Sequence, residues 1–197
     1  MSQAVLDKLR AKFGDAILET HSQHGDDTAV VASERWREVC EFCRKDPSMS
    51  FDMLTDLCGV DFPERAPRIE VVAHLYSMSK RHRVRLKTKV GETVDEELVN
   101  CEVDSVVSVW SGANWFERET FDMYGVKFKG HPDLRRILMY PEFEGHPLLK
   151  DYPADRIQPL VPYREKDEDG KSLEKQAPFG HDEGMSFGRK HFEHEHE

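Results

Sequence analysis

Residues 82–90 read His82-Arg83-Val84-Arg85-Leu86-Lys87-Thr88-Lys89-Val90. Val84, Leu86, Thr88 and Val90 alternate with Arg83, Arg85, Lys87 and Lys89, a clean period of two. That period sends one set of side chains into a core and the other to the opposite face, so the stretch is a half-buried strand. Upstream, Arg68–Ser77 forms a second clear strand, and Met53–Phe62 a third that ends at Pro63. Ala16–His21 and Thr28–Ala32 read as a hairpin around Gly25-Asp26-Asp27.

Helical spacing brackets these strands. Val5, Leu6, Leu9 and Phe13 share a face, and Gly14 ends the run. Ser33 has the chemistry of an N-cap for an amphipathic helix over Glu34–Lys45, which Asp46-Pro47 stops. A helical pattern then runs from Asp104 to Tyr124, with Val106, Trp110, Ala113, Glu117, Phe121 and Tyr124 along one side and Gly125 as its stop. From Gly125 to Pro153 the chain reads as Gly/Pro-punctuated loop. Consecutive strands flanked by segregated helices give an α+β fold: a mostly antiparallel sheet with helices packed on it, plus an extended C-terminal tail.

The tail follows from composition. The 197 residues carry 28 Lys/Arg against 38 Asp/Glu, a net charge of −10. Residues 154–197 hold 7 of those cations and 11 of those anions, with few large apolar residues, among them Ile157, Phe179, Phe187 and Phe192. Such a segment buries too little surface to offset its own ordering entropy. The expected division is therefore a folded domain over 1–153 and an extended acidic tail over 154–197, either disordered or laid along a partner. The mean hydropathy of −0.68 traces largely to that tail.

Several function classes drop out. An acidic chain is a poor binder of nucleic acid, where phosphate neutralisation dominates affinity. The basic face Arg83, Arg85, Lys87 and Lys89 has no interleaved aromatics for stacking bases, so it reads as a solvated or partner-facing strand side. Apolar stretches fall far short of the roughly 20 residues a membrane span needs, and Met1–Gly14 lacks the apolar core of a signal peptide. The reading is of a cytoplasmic protein whose membrane contact comes only through partners. Four cysteines then stand as reduced thiols, and Cys40-x-x-Cys43, inside a helix with no second pair, reads as buried core. The glycine-rich nucleotide cradles GxGxxG and GxxxxGK[ST] are missing.

The densest chemistry lies in Ala113–Pro153, ANWFERETFDMYGVKFKGHPDLRRILMYPEFEGHPLLKDYP. Glu117 and Glu119 point to nearly opposite sides of a helix, so they are no acid/base pair; Glu119 and Asp122 share a face but lack a Glu-x-x-His metal spacing. Arg118, Lys127, Lys129, Arg135 and Arg136 balance Glu117, Glu119, Asp122 and Asp133 to within one charge. That density near Trp115, Phe116, Phe121 and Tyr124 predicts partly buried, mutually satisfied ions. His131 and His146 stand in two Gly-His-Pro turns, Gly130-His131-Pro132 and Gly145-His146-Pro147. A zinc enzyme built on them lacks a third ligand at any indicated spacing, so no metal and no catalytic residue is assigned.

This stretch resembles the signature of the 30 kDa subunit of respiratory complex I, roughly E-R-E-x-x-D-x-x-G followed by G-H-P-x-L-x-R. It is met by Glu117, Arg118, Glu119, Asp122, Gly125, Gly130, His131, Pro132, Leu134 and Arg136, with Arg135 between the last two. Gly145, His146, Pro147 and Leu148, with Lys150-Asp151, resemble the second turn, where Leu149 replaces a common arginine. The match covers Ala113–Pro153, and positions 30–112 resemble the family in layout only. The resemblance implies a scaffold in the peripheral arm of complex I, the proton-translocating NADH:quinone oxidoreductase. It implies that the signature residues form a partner interface with the quinone-site subunit, the family's forty-nine-kilodalton component, and with other peripheral-arm subunits. NADH, FMN, iron–sulfur clusters and quinone would lie on those other subunits, and the chain would be peripheral on the cytoplasmic side of a bacterial inner membrane. The alternative it leaves is the equivalent scaffold of a related membrane-bound hydrogenase or other complex-I-like dehydrogenase.

Overall fold

The computed structural model of the chain describes residues 3–94 and 97–159. The expected tail lies outside the described residues from position 160 onward. Helix α1 spans Gln3–Phe13 and is followed by the hairpin β1 (Ile17–Gln23) and β2 (Asp26–Val31). After α2 (Trp36–Lys45) come β3 (Met53–Asp61), β4 (Ile69–Ser77) and β5 (His82–Val90). These five strands form one sheet in the order β1-β2-β5-β4-β3. The fold is α+β, as the strand and helix patterns indicate.

Every pairing in this sheet is antiparallel except β2 with β5, which runs parallel in the register Thr28–Arg85 to Val31–Thr88. The exception has a topological cause. Helix α2 and the β3–β4 hairpin intervene, and the chain returns as β5 beside β2, a crossover that permits parallel pairing.

The period-two reading of β5 is met: Val84, Leu86, Thr88 and Val90 are buried while the four cations face away. The inner face joins Ile17, Ala29, Val31, Leu57, Ile69, Val71, Ala73, Leu75, Val84 and Leu86 to α1 through Val5, Leu6, Leu9 and Phe13, and to α2 through Trp36, Val39, Cys40 and Cys43. These α2 positions follow the i, i+3, i+4, i+7 stripe of an amphipathic helix. On the opposite face Asp26 lies 3.2 Å from Arg83 and 3.4 Å from Arg85, and Glu70 lies 3.0 Å from Lys87. The basic strand is thus answered by carboxylates of its own sheet.

Three local expectations are corrected. Ser33 does not cap α2; Ser33–Arg35 is a short 3-10 turn, and the Ser33 hydroxyl bonds Glu34 instead. The periodic run from Asp104 is not helical throughout. A small hairpin, β6 (Glu92–Val94) and β7 (Glu97–Val99), leads into strand β8 (Glu102–Asp104), and helix α3 begins only at Ala113 and ends at Tyr124. Third, the segment after Gly125 is not all loop, because Lys127–Lys129 forms β9 and pairs in parallel with β8. That pairing and the Ser105 N–H bond to the Lys129 carbonyl hold residues 102–105 extended, overriding a periodicity that propensity alone would support.

Helix α3 packs on β3. Gly59 makes the close approach possible, since a Cβ there would stand 2.7 Å from the Tyr124 ring. At its far end Gly125 adopts φ +79° as the left-handed C-cap, its N–H bonded to the Phe121 carbonyl.

Candidate functional site

Helix α3 and the loop that follows it carry the signature, and two carboxylate–arginine nodes hold that loop. Asp122 is fully buried on α3. Its Oδ1 receives Arg136 Nη1 at 2.7 Å, and its Oδ2 receives the backbone N–H groups of Ile137, Leu138 and Met139 at 3.0, 2.8 and 2.8 Å. Burial pushes the carboxyl up, but the Met139 N–H, the Arg136 guanidinium and the other two N–H groups outweigh it and hold Asp122 below the ordinary carboxylate range. Arg136 Nη2 also donates to the Gly145 carbonyl at 2.9 Å, so one ion pair ties the second Gly-His-Pro turn to the segment that follows the first. His146 Nδ1 donates to the Asp122 carbonyl at 2.9 Å, and its ring lies against Gly125, where a Cβ would come within 2.8 Å. Burial, opposed by that bond, holds His146 below its ordinary value.

The second node escapes sequence reading. Buried Arg68 grips Asp61 at the end of β3 through two bonds of 2.7 and 2.8 Å, and its Nη1 reaches Asp151 at 2.8 Å. Asp61 also accepts the Lys150 N–H at 2.7 Å, so the Lys150-Asp151 segment is tied to the sheet. Burial raises Asp61, while Arg68 and the Lys150 N–H bring it below its usual range; Arg68 likewise lowers Asp151. No spacing announces this triad, because its members stand 7 and 83 positions apart.

Glu117 contradicts the expectation of mutual ion pairing. It is fully buried, one oxygen accepts the Val106 N–H at 2.7 Å, and the other has no hydrogen-bond partner among the described residues. Burial pushes its carboxyl up to about 7, opposed only by Ser105 and the Val106 N–H. Among the described residues Arg118 has no ion-pair partner either: it donates to the carbonyls of Arg135 and Arg136 at 3.1 and 3.2 Å. Glu119 is exposed, and Arg135 pairs with Asp133 at the surface. Leu134 and Leu149 pack against the core, while Gly130 and Pro132 lie on the exposed turn after β9 and Pro147 is half-buried.

The two histidines do not converge. His131 Nε2 donates to the Asn114 carbonyl at 3.3 Å and its Nδ1 accepts the Asp133 N–H at 3.0 Å, which fixes its tautomer. Among the described residues no three His, Cys, Asp or Glu side chains gather as a metal cage. Burial raises the Cys40 and Cys43 thiols, so neither has the lowered pKa of a reactive cysteine. A cleft of about 410 Å³ opens on the far sheet face, lined by Asp26, Asp56, His74, Tyr76, Arg83 and Arg85, apart from the signature.

The family model described as "Respiratory-chain NADH dehydrogenase, 30 Kd subunit" matches residues 29–158, well over half of the chain. The chain belongs to this family. Among its relatives, the second C-type subunit of the NADH-quinone oxidoreductase of Rhizobium etli is 47% identical over 76% of this chain and 78% of its own. The corresponding C-type subunit of a Roseiflexus species is 49% identical over 76% of this chain and 82% of its own. A trypsin-resistant fragment of Nqo5 superimposes with a TM-score of 0.55 at 28% identity, covering 67% of this chain and 98% of the fragment. The fold alone recurs in a chain of an archaeal membrane-bound sulfane sulfur reductase, at a TM-score of 0.57 and 18% identity over 70% of this chain and 75% of that one. Among the described residues of this complex I subunit, no helix is long and apolar enough to cross a membrane.

Proposed function

We propose that this chain is the cofactor-free scaffold subunit of the peripheral arm of proton-translocating NADH:quinone oxidoreductase, packed against the larger subunit that helps form the quinone site. The NADH, FMN, iron–sulfur clusters and quinone then belong to other subunits. The chain reaches the cytoplasmic side of the bacterial inner membrane only through the complex.

One observation carries this reading: the buried Asp122 of the signature, with Arg136, holds a loop in place. Asp122 directs its acceptors to Arg136 and three backbone N–H groups. This fixes residues 135–149 as a rigid surface from which Arg135, Leu138 and Leu148 project. Rigid, preorganised surfaces lower the ordering cost of association, the property a scaffold needs.

Purification from native membranes in gentle detergent, through a tag on this chain, tests the reading. The quinone-site subunit is expected to co-purify with NADH:quinone oxidoreductase activity. Reversal of the exposed Arg135 (Arg135→Glu) is expected to lower both recovery and activity several-fold; the half-buried Arg136 is unsuited, because its reversal breaks its pair with buried Asp122 first. Recovery of a hydrogenase-type large subunit, or normal assembly of Arg135→Glu, overturns the proposal.

A further inference from the structure

Charge density in the sequence sets Trp115 among buried ions, yet it is 62% exposed on the outer flank of α3. Its neighbour one turn on is Arg118, whose guanidinium carbon lies 5.4 Å from the indole centroid. Arg118 donates Nε and Nη2 to two main-chain carbonyls of the following loop. Among the described residues no carboxylate comes within salt-bridge distance of it, unlike Arg68, Arg83, Arg85, Arg135 and Arg136, each of which has one. Carbonyl dipoles orient this cation but do not neutralise it. The large exposed indole is favourable to cover, whereas the fixed cation beside it loses water when covered and then calls for a counter-charge from whatever covers it.

We propose that Trp115 and Arg118 form the anchor by which this subunit docks on a neighbouring subunit of the complex. Trp115 enters an apolar pocket of that partner, and a carboxylate on the pocket rim faces Arg118. The inference rests on the scaffold reading and names the contact within it. Charge selects the occupant. A two-fold contact with a second copy through this patch would set the same cation-bearing surface against itself, whereas an acidic rim supplies the missing counter-ion, and a cation desolvated beside an aromatic face gains most from it. Tryptophan and arginine are also the side chains that most often dominate binding energy when a pocket closes over them.

The test is rebinding of the purified full-length chain to detergent-solubilised complex prepared from cells lacking it, with thermal melting of each variant as the folding control. Trp115→Ala is expected to weaken rebinding about 30-fold or more at an unchanged melting midpoint. Trp115→Phe, which keeps a ring, recovers most of the loss. The Arg135→Glu variant reads the scaffold interface independently. Normal rebinding of Trp115→Ala with impaired Arg135→Glu overturns the anchor and leaves the scaffold reading standing; normal rebinding of both removes both. A Phe variant no better than Ala overturns the anchor. So does self-association of the parent chain that Trp115→Ala abolishes, which would make a second copy the occupant.

Discussion

Asp122 and Glu117 sit five residues apart on one helix, both with no exposed surface, yet their carboxyls are shifted in opposite directions. Asp122 receives a guanidinium and three N–H groups and is held as a carboxylate. Glu117 has only the Val106 N–H and Ser105 to oppose burial and faces no cation among the described residues, so desolvation wins and its carboxyl is raised to about 7. Cys40 of α2, which senses Glu117, is a neutral thiol and offers it no counter-charge. Burial costs both groups alike; the donors supplied to each decide which remains ionised.

Removing the better-supplied carboxylate should do the most damage. Asp122→Ala leaves Arg136 unpaired and three N–H groups without acceptors, and is expected to cost about 4 kcal/mol or more in urea unfolding. A loss below about 1 kcal/mol would mean the loop is held by packing instead. Arg68→Met should cost about 3 kcal/mol, because Asp61 keeps the Lys150 N–H but loses its cation.

The pH dependence separates the two carboxylates by sign. Asp122 and Asp61, depressed in the folded state, contribute stability that is present above their unfolded value of 3.8 and disappears as the pH falls. Glu117, raised when folded, works in reverse. Its contribution is complete below its unfolded value of 4.5 and is lost as the pH rises through about 7. A shift of that size corresponds to roughly 3 kcal/mol. Glu117→Gln should therefore flatten the stability profile between those limits while leaving the acid limb intact; a wild-type profile level across that window contradicts the neutral acid. The smallest effect is expected at the cap: Gly125→Ala forces φ +79° on a residue with a Cβ and presses the His146 ring, costing about 1–2 kcal/mol. Equal stability of that variant would show that the His146 contact to Asp122 yields freely.

Local periodicity made the main sheet legible. The alternation of β5, the amphipathic stripe of α2 and the β1–β2 hairpin each depend on neighbours within a few residues, and each is present. The hairpin turn falls at His24-Gly25, however, with Asp26 and Asp27 already in β2, and α2 begins at Trp36. The same method overextended α3 toward Asp104, because the β8–β9 pairing joins strands separated by more than twenty residues and leaves no local trace. In the signature, residue types announced dense charge but not its partition. Arg118 was a plausible mate for Glu117 or Asp122, and instead bonds carbonyls that the folded loop brings to it.

The sequence alone determined the α+β class, the buried face of the sheet and the stretch that marks the family, since these follow from spacing and side-chain type. Tertiary structure alone decided that Asp61, Arg68 and Asp151 form one node, that Glu117 is raised to about 7 while Asp122 is held below the ordinary carboxylate range, and that Trp115 faces outward. Those outcomes depend on which donors and apolar surfaces distant segments deliver to a point, and ionisation and exposure are properties of that point rather than of the residue.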